Sequence, residues 1–140
     1  MGSAQNMSRH SQALPHVPEA AREARRVVES LLGDTQTLVD IEFAALLTGE
    51  VVTNAVQHGT PPLQLLIEIA DDAIRVEVHD TNSAHPVPRT PRPTEPGGRG
   101  LAIVDALATR WGTRPDDDGK AVWFEVAAGS EPASESTPAQ

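Results

Sequence analysis

In Leu63-Gln64-Leu65-Leu66-Ile67-Glu68-Ile69-Ala70-Asp71-Asp72-Ala73-Ile74-Arg75-Val76-Glu77-Val78-His79-Asp80, apolar residues recur at every second position on both sides of Asp71-Asp72. Leu63, Leu65, Ile67 and Ile69 share one face, and Ile74, Val76 and Val78 share one face opposed to Arg75, Glu77 and His79. Period-two alternation broken by turn residues predicts an antiparallel hairpin with one buried face. Asp80 continues the register of Ile74, Val76 and Val78, so the same alternation puts a carboxylate at the rim of the buried face.

Upstream the period changes from two to between three and four. Pro18 opens a run in which Ala21, Ala24, Val27, Val28, Leu31 and Leu32 form one face and Gly33 closes it, which predicts a helix over about 18–32. Its other face, Glu19, Arg22, Glu23, Arg26 and Glu29, reads as solvated surface. A second helix follows, capped by Asp34 or Thr35 and running to Gly59, with Leu38, Ile41, Ala44, Ala45, Leu46, Val52 and Val56 apolar. Gly49 interrupts it at a cost of about 1 kcal/mol relative to alanine, and is read as tolerated rather than as a point of close approach. After the hairpin, Pro86, Pro88, Pro91, Pro93 and Pro96 mark a loop too long to be a plain connector. Gly97-Gly98-Arg99-Gly100 then leads into a third helix from Leu101 to about Thr109. Strands around 110–114 and 120–127 close the domain, turned by Asp116-Asp117-Asp118-Gly119. The expected organisation is one domain over 13–127, with 1–12 a disordered N-terminus or expression remnant and 128–140 a disordered tail. The fold class is α+β: a two-layer sandwich with helices on one face of a mixed, mostly antiparallel sheet.

Composition narrows the function. A formal charge of −9 opposes tracking a nucleic-acid backbone, and the absence of cysteine removes disulfides, thiolate nucleophiles and thiolate metal sites. No run approaches the roughly 20 apolar residues of a membrane helix, and a cytoplasmic setting without membrane or nucleic-acid contacts is the expectation. Lys120 is the lone lysine beside ten arginines.

Three clusters carry chemistry. Glu50, Asn54 and His58 stand four residues apart, in one slanting row on a helix whose neighbours Val51, Val52, Ala55 and Val56 are apolar. No lysine lies near Glu50 and Asn54 in the sequence to make a salt bridge of them. A carboxylate that takes a proton and an amide oxygen that coordinates Mg²⁺ form a workable pair beside a triphosphate; two exposed helix residues are the plain alternative. His58 reads as a helix-end partner rather than a metal ligand. Asp80 either caps the turn Thr81-Asn82-Ser83 or, from the rim of the core, accepts a hydrogen bond from the amino group of a purine. Gly98-Arg99-Gly100 before a helix either cradles phosphate on backbone N–H groups or is a hinge.

The order Glu50-x-x-x-Asn54, Asp80 at a strand end, Gly98-Arg99-Gly100 opening a helix, and Gly119-Lys120-Ala121-Val122-Trp123-Phe124 on the last strand resembles the GHKL (Bergerat-fold) ATPases. Within them it is most similar to the stand-alone domains of the RsbW-like anti-sigma-factor serine kinases of actinobacterial type, over about Leu14 to Val126. The resemblance implies a Bergerat fold that binds ATP and Mg²⁺, with Asn54 as the metal-ligating asparagine and Glu50 as the catalytic residue that activates water or hydroxyl. It implies that Asp80 reads the adenine amino group, that Gly98, Arg99, Gly100 and Leu101 hold the phosphates, and that Ser83 to Gly97 form the lid. Ala121 stands where the family often has a threonine supporting the adenine contact, and Thr81-Asn82-Ser83 replaces the usual glycines after the aspartate. The implied activity is phosphorylation of a serine on a STAS-domain anti-anti-sigma protein, sequestration of a sigma factor, or both. The alternatives are a binding module without phosphotransfer and a plain ATPase. Members of the family often dimerise, which makes a homodimer an expectation too.

Overall fold

The computed structural model describes residues 7–35, 37–82 and 100–129. Eight elements follow in the order β1 (Ser8–Leu14), α1 (Ala20–Gly33), α2 (Ile41–His58), β2 (Leu63–Ala70), β3 (Ala73–Asp80), α3 (Gly100–Leu107), β4 (Arg110–Asp116) and β5 (Gly119–Ala127). The five strands form one sheet in the order β1-β2-β3-β5-β4. Every pairing is antiparallel, so the sheet is not mixed as expected. The rest of the expected α+β two-layer sandwich holds, with the helices on one face.

The hairpin forms as its alternation requires. Ala70 pairs with Ala73 across a two-residue turn, and Leu65 with Val78 near the other end. Leu63, Leu65, Ile67, Ile69, Ile74, Val76 and Val78 are all buried, joined from β5 by Val122, Phe124 and Val126. Against them pack Ala20, Ala24, Val28 and Leu32 of α1, Leu47, Val51, Val52 and Ala55 of α2, and Leu101 and Val104 of α3. The side chains are small or branched, as a core nearly without aromatics must be.

Three expectations change. Residues 8–12, read as outside the fold, belong to β1, which pairs along β2 from Ser8 opposite Ile69 to Leu14 opposite Leu63. The strand is at the sheet edge with mostly exposed side chains, so it carries no apolar alternation to find. Second, α2 begins at Ile41 rather than near Thr35. Asp40 is its cap, its Oδ1 accepting from the Phe43 N–H at 3.0 Å, while Leu38 lies outside the helix and is 78% exposed. Residues 37–38 instead sit on the hairpin tip: Thr37 Oγ1 donates to the Ala70 and Asp71 carbonyls, and the Leu38 N–H to Asp71 O. Third, Gly49 is a point of close approach. A Cβ there would lie 2.8 Å from Cδ of Arg25, whose stem crosses α2 at this notch. The expected disorder of 1–6 and of 130–140 lies outside the described residues.

The sheet face away from the helices is held by charge. Glu77 is met by Arg75 at 2.9 Å, Arg114 at 2.7 Å and His79 at 3.0 Å, and Arg75 also reaches Glu125 at 2.7 Å. Burial pushes the Glu77 carboxyl up, but the hydrogen bonds from Arg75, Arg114 and His79 outweigh it and hold it below the usual range. The Arg75 guanidinium lies 4.2 Å from the Trp123 ring centroid.

The cap assignment is testable by denaturant unfolding. Asp40→Ala should cost about 1 kcal/mol, whereas Asp34→Ala, at a residue whose side chain caps nothing in α2, should stay within about 0.5 kcal/mol.

Candidate functional site

Where β3 ends, α2 ends and β5 begins, three chain segments meet around Asp80. Its alternation with Val76 and Val78 turns it inward, and its cross-strand partner in β5 is Lys120. Both side chains are buried, Asp80 at 2% and Lys120 at 4% exposure. Lys120 Nζ donates to Asp80 Oδ1, Asp80 Oδ2 and the Asn82 carbonyl, each at 3.0 Å. Oδ1 accepts further from the N–H of Asn82 at 2.7 Å and of Thr60 at 3.4 Å. Among the described residues Oδ2 accepts from Lys120 alone. The charges are thus compensated and hydrogen-bonded, as buried charges must be.

Two glycines make this arrangement fit. A Cβ on Gly59, the residue after α2, would lie 2.7 Å from Asp80 Cγ and 2.8 Å from Oδ2. A Cβ on Gly119 would collide with the Asp80 carbonyl oxygen and lie 2.5 Å from Cα of Thr81. The segment after α2 is tied to the same place, because Thr81 donates from its N–H to Thr60 O and from Oγ1 to Pro61 O, and Asn82 Nδ2 donates to His58 O. Asp80 therefore also organises its turn, through Asn82 N–H, so the capping role holds together with burial at the core rim.

Along α2 the polar row runs away from this point. Asn54 lies five residues before Gly59, about 7.5 Å along the axis at 1.5 Å per residue, and Glu50 one turn further. Asn54 is only 8% exposed, and among the described residues its amide makes no hydrogen bond. Since every fully buried side-chain polar atom among those residues has a partner, the amide must face the remaining opening. Glu50 is half-buried. Burial pushes its carboxyl above the ordinary glutamate range, and the charge of Arg25 opposes this without cancelling it. That arginine, absent from the sequence reading of Glu50, comes from α1 through the Gly49 notch. His58 is exposed and ends the helix.

Gly100 opens α3, and Leu101 buries its side chain in the core, leaving only its backbone for a ligand. Gly98, Arg99 and the stretch from Ser83 to Gly97 lie outside the described residues. Ala121 is corrected: it is paired with His79 and Arg114 in the ladder, on the face away from the helices. The inward position at Asp80 belongs to Lys120. The signal for it was in the sequence, since Lys120 keeps the period-two register of Val122, Phe124 and Val126.

These residues fit a purine nucleotide with Mg²⁺. Asp80 Oδ2 is an acceptor with spare capacity, and Asn54 offers an amide that makes no hydrogen bond among the described residues. Among the described residues no cluster of His, Cys, Asp and Glu could hold a metal on its own, so a divalent ion here would need ligand oxygens from the nucleotide. No described helix is long and apolar enough to cross a membrane.

Residues 11–126 match the family model described as histidine kinase-like ATPase domain. The chain is also similar to an uncharacterized protein of Streptomyces coelicolor, 38% identical over 84 residues that span 56% of this chain and 79% of that one.

Gly49 and Gly59 should respond differently to alanine. Gly59→Ala meets backbone at 2.6 Å as well as Asp80 and should cost about 1–3 kcal/mol. Gly49→Ala gains about 1 kcal/mol of helix propensity against a shift of the flexible Arg25 stem, and thermal melts should place it near wild type. Equal losses at the two positions would contradict the packing described.

Proposed function

Because the chain belongs to the histidine kinase-like ATPase domain family, we propose that it is an ATP- and Mg²⁺-dependent serine kinase of the anti-sigma-factor type. Its substrate is a serine of a STAS-domain anti-anti-sigma protein, and the same surface is available to sequester a sigma factor. The observation that carries the reading is the pairing on α2 of Asn54, whose amide makes no hydrogen bond among the described residues, with a carboxyl held above its ordinary range, Glu50.

Asn54 would hold Mg²⁺ through its amide oxygen. Bound there with ATP, the ion would supply charge neutralisation at the transferred phosphoryl group. Asp80 Oδ2 accepts from the base amino group, which fixes the purine at the end of the sheet. The N–H groups of the first turn of α3, from Gly100, donate to phosphate oxygens, aided by the helix dipole. Glu50 orients the incoming serine hydroxyl and takes its proton. A carboxyl with a raised pKa is a better match for that transfer than an ordinary surface glutamate.

One observation favours a second reading, in which the chain controls its partner by binding alone. Both oxygens of Asp80 already contact Lys120, and the pair is nearly closed to solvent. Calorimetry with Mg-ATP separates the two: no heat at millimolar nucleotide selects the binding module.

Transfer of labelled γ-phosphate to a cognate STAS protein tests the kinase. Glu50→Gln should lower the rate about 10²–10⁴-fold, and full transfer by Asn54→Ala would sink the metal assignment. Since the base must be ionised, the rate should rise with pH through the raised Glu50 pKa, and this limb should vanish in Glu50→Gln. Stability moves the opposite way. A carboxyl whose folded pKa lies above the unfolded value favours folding when protonated and loses that contribution as pH rises through the folded pKa. Glu50→Gln should flatten that part of the stability profile.

A further inference from the structure

Gly49 stands in the middle of α2, where glycine forgoes the helix propensity that alanine would bring. It is buried, and the space a Cβ would fill is taken by one side chain of another helix. Arg25 of α1 lays its stem there, with Cδ 2.8 Å, Cγ 3.2 Å and Nε 3.4 Å from that position. The residue as a whole stays exposed, as in an arginine whose stem covers a helix surface while its charge stays at the edge.

What sets Arg25 apart is the place to which it brings its charge. Arg9, Arg75, Arg110 and Arg114 are each engaged in contact ion pairs on the sheet. Arg25 makes no such pair among the described residues, and the residue next to its notch is the half-buried Glu50. Burial pushes the Glu50 carboxyl up, and the charge of Arg25 is what opposes it. The other charges around α2 do not share this task. Arg22, Arg26 and Glu29 of α1 and Glu42 of α2 line the groove in which Arg25 also lies, without acting on Glu50. His58 ends α2 two turns on, and Asp105 of α3 accepts from Trp111 Nε1. Arg75, Glu77, His79 and Glu125 are paired across the outer face of the sheet, and Asp80 and Lys120 with each other.

We propose that Arg25 is a positioning residue for the phosphotransfer: seated in the Gly49 notch, its guanidinium is the fixed counter-charge that keeps the half-buried Glu50 carboxylate ready to accept the serine proton. The inference rests on the reading of Glu50 as the group that takes that proton, and deepens it. Arg25 takes no proton itself and acts through Glu50. Glycine at 49 belongs to the same device, because any Cβ there would displace the stem that carries the charge.

Two variants separate charge from packing. Arg25→Met keeps an unbranched stem over Gly49 and removes the charge, whereas Arg25→Lys keeps both. In the full chain without nucleotide, NMR titration of the Glu50 carboxyl should show its midpoint move up in Arg25→Met, since a cation favours the ionised form, and stay in place in Arg25→Lys. In transfer of labelled γ-phosphate to the STAS protein, Arg25→Met should displace the rising limb of the rate to higher pH. The rate on that limb should fall by about two- to fivefold, the scale of one partly exposed charge interaction. The plateau above the limb and KM for ATP should not change, whereas a merely structural loss would lower the rate at every pH. Circular dichroism checks that both variants fold. A Glu50 midpoint or a rate limb that does not move in folded Arg25→Met overturns the role of Arg25 and leaves the kinase reading standing. A wild type that transfers no phosphate overturns the kinase reading, and the role of Arg25 with it.

Discussion

The ion pair of Asp80 with Lys120 is the constraint to which the open end of the domain is fitted. It fixes the register of β3 on β5 at that end, since a one-residue slip of either strand would put the two charges on opposite faces. It dictates glycine at 59 and 119, because no larger residue leaves room for the carboxylate or for the close crossing of Gly119 over Asp80 and Thr81. Through Asn82 it also fixes the path by which the chain leaves β3, and Asn82 in turn holds the last carbonyl of α2. Helix end, strand end and hairpin thus share one anchor.

Much of this was legible in the sequence, wherever side-chain periodicity reports burial. The 63–80 hairpin, the inward turn of Asp80 and the row from Glu50 to His58 follow from periods of two and 3.6, and they hold. The failures have physical causes as well. β1 went unseen because an edge strand with exposed side chains has no apolar alternation. The start of α2 was misplaced because Asp34, Thr35 and Asp40 are all good caps in sequence, and only the docking of residues 37–38 on the hairpin tip chooses Asp40. Gly49 was read as tolerated because its partner, Arg25, lies on another helix. Ala121 was set by resemblance at the position of the family's threonine, whereas the alternation that placed Asp80 places Lys120, not Ala121, on the inner face.

The site divides its labour between rigid parts. On the proposed reading base recognition falls on strand ends and backbone, where Asp80 accepts four hydrogen bonds from three groups. The residues proposed for metal binding and proton transfer sit on α2, a helix packed over the sheet and against α3. Their environments differ in kind: Asp80 is compensated by a cation in contact, whereas Glu50 lies beside a cation that does not cancel its burial. The same residue class is thus hydrogen-bonded to a cation in one place and held above its ordinary range by burial in the other.

The turn at Asp71-Asp72 gives the fold a polarity. It lies seven residues of β3 away from Asp80, about 23 Å at 3.3 Å per residue, and three separate segments are fastened to it: the hairpin, residues 37–38 before α2, and the chain after β5, where the Ala128 N–H bonds to Asp72 O. That end of the sandwich is a closed pole, tied by backbone and side-chain hydrogen bonds. The opposite pole carries the buried pair, the end of α2 and the start of α3. Whatever rearrangement a bound molecule demands must be absorbed there, with the distant turn acting as the fixed foot from which the sheet and α2 extend.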